Sequence, residues 1–512
     1  MQGVQLDRSQ LLWRSEALTV LLLSFGRAAM EAKMIDSAPS QTLYEAVADR
    51  IHRLILEGTL QPGDRLPSVR KLHRQWSISI STVLEAYRLL EDRGLIQARP
   101  QSGYFVKSAL HSLPEEPSFS PPTAVNHPVE ISLAFRVSNA VCDSQTVGLG
   151  SAIAGTELLP IATLNRLMGQ VLRTQPAAAH CYGSPQGCEE LRHEVARRLL
   201  DAGCSATPDQ IVITNGTTEA LYLSLKAITK PGDTVAIESP TYHLLLETLS
   251  ALHLKALELP THPQEGISLE HLEEALKTRK VVACVLITNF SNPLGSCMSD
   301  SKKKQIIDLL NHCDIPLIED DIYGELHFEG SRPKAIKALD QDGRVLYCAS
   351  VSKTLSPGLR VGWVVAGRYQ LKVEQLKMTM NYMSAIAPQL TTAAFLANGG
   401  YDRHLRRLRQ AHHSQMQSMT QAICDYFPAI TKVSRPKGGY VLWIEMPPHV
   451  DTLQLYEVAR QRQIIIAPGV MFSPSGNYRH CFRLNFGLPF TEAIHQALQT
   501  LGQLLHAQIQ SS

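Results

Sequence analysis

At 512 residues the chain is too long for one ordinary domain, and its length points to roughly two to four. With 44% apolar and 19% charged residues it has the composition of a globular protein with a sizeable core. A formal net charge of +2 excludes nucleic-acid binding through overall charge, so any such role needs a local patch. Ten cysteines occur without a CxxC pair or regular spacing, and no HExxH is present. That argues against a disulfide framework or a metal site and for a reducing, cytoplasmic setting.

Leu18 to Phe25 is an apolar run too short to span a bilayer, and Arg27 and Glu31 follow it without a convincing cleavage site. Residues 1–38 therefore read as a disordered or misassigned extension, with no membrane association expected. Over 41–58, Leu43, Val47, Ile51, Leu54 and Ile55 recur at helical spacing and Gly58 supplies a stop. A turn-rich connector, 61–67, leads to a short helix Val69 to Gln75 with Ser68 as its cap. A second helix, Ile80 to Arg93, is capped by Ser79 and ended by Gly94. Leu95 to Ala98 and Tyr104 to Lys107 flank Pro100 to Gly103 as a hairpin. This order describes a winged helix-turn-helix. Small hydroxyls at Ser79, Ser81 and Thr82 open the helix after the turn, where phosphates or base edges can be approached. Basic residues outnumber acids across the unit, although small helical domains often carry such a surplus.

The segments PGDRLPSVRKL, SISTVLEAYRLLEDRGLIQARP and QSGYFV resemble the DNA-binding domain of GntR-family bacterial regulators. The resemblance implies a double-stranded DNA operator contacted by Arg65, Ser68, Arg70, Ser79, Ser81 and Thr82, and by the wing residues Gln101, Ser102 and Gly103. Ile80 departs from the pattern, since many members carry a basic residue there. The domain is expected over 39–108, followed by a proline-rich, extended and semi-flexible linker over 109–130.

From 131 to 512, short apolar runs at 211–214, 234–238, 281–288, 315–319 and 344–349 alternate with helical stretches. That is the pattern of an α/β fold with a mainly parallel sheet, whose ligands gather beyond the carboxyl ends of the strands. A smaller α+β part follows, with a long basic helix near 401–425 and strands near 439–445, 463–466 and 481–486. Arg403, Arg406, Arg407 and Arg409 on that helix read first as a solvated face.

Chemistry-bearing residues fall at the strand ends. Gly216, Thr217 and Thr218 open a helix and suit a phosphate, although many strand-to-helix turns look alike. Tyr242 can stack on a flat ring or simply pack. Asn292 offers a donor and an acceptor at a turn. Asp320 and Tyr323 can reach two points of one ring, a pyridinium nitrogen and a ring hydroxyl, or the acid can cap the next helix. In Ser350-Val-Ser-Lys353-Thr-Leu-Ser-Pro-Gly-Leu-Arg360, a lysine at a strand end lies among phosphate-binding donors. Desolvation and a nearby cation would lower its pKa for imine chemistry with an aldehyde, while a solvated loop fits the same letters.

Joined in order, these segments resemble the fold type I pyridoxal-phosphate enzymes of the aspartate aminotransferase family. The resemblance implies pyridoxal 5′-phosphate (PLP) on Lys353, with Asp320 at the ring nitrogen and Tyr323 and Asn292 at the ring oxygen. It places Tyr242 on the ring face and gives the phosphate to Gly216, Thr217, Thr218, Ser350, Ser352 and Arg360. Tyr182 would reach the phosphate of a partner in a homodimer, and Arg483 would clamp a substrate carboxylate, with Asn292 beside it. A winged helix joined to such a domain resembles the MocR subgroup of GntR regulators. That implies a transcriptional regulator sensing an amino acid, an amine or PLP. The alternatives are a working aminotransferase with a fused DNA-binding module, and a sensor of PLP alone.

Overall fold

The structure, a computed structural model, describes residues 42–107 except 62, 100 and 101, residues 114–118, 133 and 137, and residues 146–510 except 279 and 280. The chain divides into two compact units, 1–112 and 113–512. The predicted extension 1–38, Gln101 and most of the predicted linker lie outside the described residues.

In the first unit, α1 (Leu43–Leu56) starts two residues inside the predicted helix, where Thr42 N–H donates to Glu45 Oε2 at 2.8 Å. Helix α2 (Val69–Trp76) is capped by Ser68, whose Oγ accepts Lys71 N–H at 3.2 Å. Ser77 then turns the chain through the left-handed region at φ 53°, and α3 (Ile80–Asp92) starts behind its cap, Ser79. Strands β1 (Ile96–Arg99) and β2 (Gly103–Val106) form an antiparallel wing, pairing Ile96 with Val106. Val47, Ile51, Leu72, Val83, Leu90 and Ile96 close one apolar core. Tyr87 is buried in it because its hydroxyl has a partner, donating to Pro67 O at 2.6 Å.

In the second unit, α4 (Ile161–Thr174), α5 (Pro176–His180) and α6 (Glu189–Asp201) lead into a sheet of eight strands. The next elements are β3 (Val212–Thr214), α7 (Thr217–Ile228), β4 (Thr234–Ser239), α8 (His243–Ala251), β5 (Lys255–His262), β6 (Gly266–Ile267) and α9 (Leu269–Thr278). They are followed by β7 (Val281–Leu286), α10 (Asp300–His312), β8 (Leu317–Asp320), β9 (Val345–Ser350) and β10 (Gly362–Val365). The order across the sheet is β3-β10-β9-β8-β7-β4-β5-β6. The five central strands from β9 to β5 run parallel, with β10 and β6 antiparallel to their neighbours. Helices cover both faces, so the central strands are apolar throughout rather than alternating.

Helices α11 (Gln370–Met380), α12 (Ile386–Ala397) and the long α13 (Gly400–Tyr426) connect to a second, antiparallel sheet. It contains β11 (Lys432–Val433), β12 (Val441–Glu445), β13 (Ala467–Pro468) and β14 (Cys481–Asn485), in the order β11-β12-β14-β13. Helices α14 (Thr452–Gln461) and α15 (Glu492–Gln510) complete this part. The strand expected at 463–466 falls instead at 467–468. Gln463 and Ile465 spend their backbone groups on Val147, in an isolated parallel bridge centred on Ile464. Pro114 to Ser118, read from sequence as loose linker, lie against β11, where Val433 N–H donates to Glu115 O at 2.8 Å. No helix among the described residues is long and apolar enough to cross a membrane.

A candidate ligand site and a candidate nucleic-acid face

The carboxyl ends of the parallel strands open into a cleft of about 570 Å³. Thr217 and Thr218 reach it from the β3–α7 turn, Tyr242 from the β4–α8 turn and Asn292 from the loop after β7. Asp320 and Tyr323 reach it from the end of β8, and Ser352, Lys353 and Arg360 from the loop between β9 and β10. Residues up to 143 positions apart thus meet because every loop leaves the same edge of one sheet. Gly216 sits at φ +81°, and a Cβ there would come 2.6 Å from Arg360 Nη2, so the close approach requires glycine. Arg360 Nη2 donates to Asn215 O at 2.7 Å.

Lys353 Nζ donates to Ala152 O at 2.5 Å, and Tyr440 Oη donates to the same carbonyl at 3.2 Å. Burial, helped by the Arg483 charge, lowers the lysine to about 8, against the opposing pull of Asp320. Asp320 is 3% exposed and accepts Ile322 N–H at 3.2 Å. Burial raises its carboxyl to about 7. Its neighbour Asp321 turns away and is satisfied by Arg332 at 2.5 Å, Tyr347 at 2.9 Å and Asn289 at 2.8 Å. Tyr323, with its hydroxyl on Asn292, packs edge-on to Tyr440, and burial pushes the phenol above its usual range. Arg483, 1% exposed on β14, donates through Nη1 to Asn292 Oδ1 at 2.8 Å and through Nη2 to Gly150 O. Its Nε has no hydrogen-bond partner among the described residues, its guanidinium lies 5.0 Å from the Phe472 ring, and burial lowers it to about 10.

Four sequence-derived positions do not line the cleft: Gly216 and Arg483 stand behind it, against Arg360 and Asn292, and Ser350 and Tyr182 lie elsewhere. Ser350 is buried on the opposite side of the β9 end, beside Trp363 and Tyr401, and serves Ser352 by accepting its N–H at 3.3 Å. Tyr182 is 86% exposed and packs only edge-on to Tyr382. Conversely, sequence reasoning missed Tyr440, Phe472 and the carbonyls of Gly150 and Ala152. Main-chain oxygens leave no mark in a sequence. Tyr440 follows the pair Gly438-Gly439 at the start of a strand, a signal that could have been followed.

These residues fit a phosphorylated pyridine aldehyde. At one end Asp320 is a buried carboxyl with no cation in contact among the described residues, which a ring N–H⁺ would supply. At the other, Thr217 Oγ1 and Ser352 Oγ are buried without a hydrogen-bond partner among the described residues, beside Arg360 and the start of α7, whose Gly216 cap offers no side chain. Between them lie the low-pKa amine of Lys353 and the ring of Tyr242.

In the first unit, Arg65, Ser68, Arg70, Ser79, Ser81, Ser102 and Gly103 are exposed and Thr82 is half-buried. The hydroxyls are already engaged: Ser79 Oγ accepts Thr82 N–H at 3.0 Å and lies 2.8 Å from Ser81 Oγ and 2.7 Å from Thr82 Oγ1. Arg65 and Arg70 enter no ion pair among the described residues. Arg65 lies against Gly103 of the wing, within 3.4 Å of where a Cβ would be. Ile80 is 45% exposed, an apolar position on the helix start that offers no hydrogen bond to a base.

Comparison with known families matches residues 43–106 to the bacterial regulatory proteins of the gntR family and residues 160–501 to aminotransferase class I and II. The uncharacterized HTH-type transcriptional regulators YjiR and YdcR of Escherichia coli (strain K12) are 39% and 40% identical to this chain. Each alignment covers 91% of the chain and 99% of the relative. This protein is a MocR-type member of the GntR family. Among solved structures, LysN, an alpha-aminoadipate aminotransferase from Thermus thermophilus complexed with N-(5′-phosphopyridoxyl)-L-leucine, superposes with a TM-score of 0.68 at 26% identity. The match covers 74% of the MocR-type chain and 98% of that one. The cofactor of this regulator is pyridoxal 5′-phosphate, and its small unit is a DNA-binding one.

Proposed function

We propose that this protein represses or activates transcription in the cytoplasm in response to an amino acid, an amine or PLP itself, working as a homodimer. The observation that carries the reading is a buried amine, carboxyl and guanidinium, each without an opposite charge in contact among the described residues, in one chain with a helix-turn-helix.

Bound PLP supplies an aldehyde that condenses with amines and a ring that withdraws electrons. The chain's own residues do the rest. Lys353, lowered to about 8, releases its proton more readily than an ordinary lysine and so has more neutral amine available for the aldehyde, and it is aimed by Ala152 O. Asp320 would pair with the ring nitrogen and favour its proton, Tyr323 and Asn292 would hold the ring oxygen, and Tyr242 would pack on the ring. Gly216, Thr217, Thr218, Ser352 and Arg360 take the phosphate, with Ser350 fixing Ser352 from behind. Arg483 exchanges Asn292 and Gly150 for the carboxylate of an amino acid, which it can meet with two parallel N–H donors. Exposure suits Tyr182 to reach a second copy's phosphate. Arg65, Ser68, Arg70, Ser79, Ser81, Thr82 and the wing at 101–103 face the operator. Ligand alters DNA affinity only through unequal binding to two states of the large unit.

A second reading, a working aminotransferase, draws on the completeness of the Lys353, Asp320 and Arg483 set. One experiment weighs both. The purified chain with PLP should absorb in the visible, lose that band in Lys353→Ala, and bind DNA from upstream of its own coding region with an affinity that an amino acid changes. A colourless wild type ends the reading. Steady turnover of an amino acid with a keto acid at about 1–10³ per second, with no effect on DNA, would favour the enzyme.

A further inference from the structure

We propose that Pro114 to Ser118 is a docked strap through which the ligand site governs the DNA-binding unit, with Glu116 as its joint. This rests on the sensing reading and names its route. Strand β11 is the edge of its sheet, and an edge leaves backbone groups to be covered. The strap covers it with several anchors. Val433 N–H donates to Glu115 O at 2.8 Å and Arg435 Nη2 to Pro114 O at 2.9 Å. Ser118 N–H donates to Glu445 Oε2 at 2.6 Å and Lys432 Nζ to Ser118 Oγ at 2.5 Å. Pro117 is buried.

Glu116 joins two parts of the large unit. Its Oε1 lies 3.4 Å from Arg435 Nε, and its Oε2 accepts from Gln264 Nε2. Both partners lead back to the cleft. Arg435 follows β11, whose sheet carries Arg483 on β14, with β12 between them. Gln264 lies between β5 and β6, and its carbonyl accepts Cys297 N–H at 3.0 Å. Cys297 closes the loop that carries Asn292. That loop is tight: Ser291 N–H donates to Ser296 O at 2.9 Å, and a Cβ on Gly295 would come 2.6 Å from Pro436, the residue after Arg435. Behind the cleft the two routes meet, where Arg483 Nη1 donates to Asn292 Oδ1. A carboxylate that takes the guanidinium uncouples Asn292 from Arg483, and so removes one of the links between the loop and the sheet. Glu116 bridges the same two bodies on the far side, so its seat favours one of their arrangements.

Seating also shortens the tether. Six residues separate Lys107 from Pro114, a reach of at most about 25 Å, whereas a loose 109–130 would allow roughly 80 Å. Release of the strap therefore changes how far the DNA-binding unit can travel.

The test uses the full chain with PLP bound, its own upstream DNA, and a panel of L-amino acids. In wild type, an amino acid that shifts the cofactor band should change hydrogen exchange at Val433. In Glu116→Ala and Arg435→Ala, Val433 should exchange fast with or without ligand. Both variants should keep the band shift, while their ligand-free DNA affinity moves to the value wild type shows with the amino acid and the DNA response to the amino acid shrinks by about 5-fold or more. By reciprocity, the amino acid's own affinity should move by the same factor that the ligand exerts on the strap, a change that a merely structural role would not produce. The exchanged pair Glu116→Arg with Arg435→Glu should restore the response. A normal DNA response in Glu116→Ala, or a Val433 amide indifferent to ligand in wild type, overturns the strap alone. A wild-type band that no amino acid shifts overturns the sensing reading, and the strap's role with it.

Discussion

The two units solve opposite problems with their polar side chains. In the helix-turn-helix unit the candidate hydroxyls are satisfied within the chain, Ser68 and Ser79 as helix caps, and Arg65 and Arg70 are exposed. In the aminotransferase domain the charges of the candidate site are buried, and among the described residues Asp320 has no cation in contact and Arg483 no anion. The first unit therefore folds around its function at no cost, while the second keeps a site that weakens the empty fold and is relieved by its ligands.

Arg483→Ala gives the largest expected break in that contrast. Loss of a buried, bidentate partner should weaken binding of the responsive amino acid by about 2–5 kcal/mol, roughly 30-fold or more, with the cofactor band retained. A titration of the band against the amino acid measures it, and unchanged affinity would remove Arg483 from the ligand site.

Asp320 sharpens the contrast through pH. Its carboxyl is raised from 3.8 to about 7, so the folded state holds a proton that the unfolded chain has released. The sign follows: this group costs nothing below about pH 4, and its cost grows as pH rises toward 7. Between pH 5 and 8 the PLP-free protein should lose about 3 kcal/mol of stability that Asp320→Asn does not lose. Denaturant unfolding of both proteins at the two pH values measures the difference, and parallel pH profiles would show that Asp320 is already paired.

The smallest effect belongs to the first unit. Arg70→Ala should weaken DNA binding about equally on all sequences and reduce the slope of log affinity against log salt by about 1. The unfolding midpoint should stay put, because Arg70 is exposed and enters no ion pair among the described residues. A selective loss on one sequence would instead make it a base-reading residue.

The same difference explains what could be read in advance. The caps, the Gly94 stop and the wing turn act locally, so the helices and strands of the first unit emerge from the sequence within two residues. The buried parallel strands were legible as apolar runs, and the residues at their ends as one edge of a sheet. Ser350 reads as a phosphate donor from its hydroxyl and from the family resemblance, and the structure sets it beside Trp363 and Tyr401, where β9 ends and the loop turns toward the cleft. The strand expected at 463–466 was displaced by pairing with Val147, over 300 residues away, a contact no local pattern encodes. Tyr440 and the carbonyls of Gly150 and Ala152 enter the site for the same reason.

Those two carbonyls have a consequence for discrimination. Lys353 and Arg483, the two cations waiting for ligand, are each held by a main-chain oxygen from one short stretch, two residues apart. A monatomic ion such as chloride would have to evict Asn292 and Gly150 from the guanidinium and could replace only one of them well. A planar carboxylate brings two oxygens at the spacing of the fork and replaces both. The fork at Arg483 is thereby matched to a carboxylate rather than to a monatomic anion.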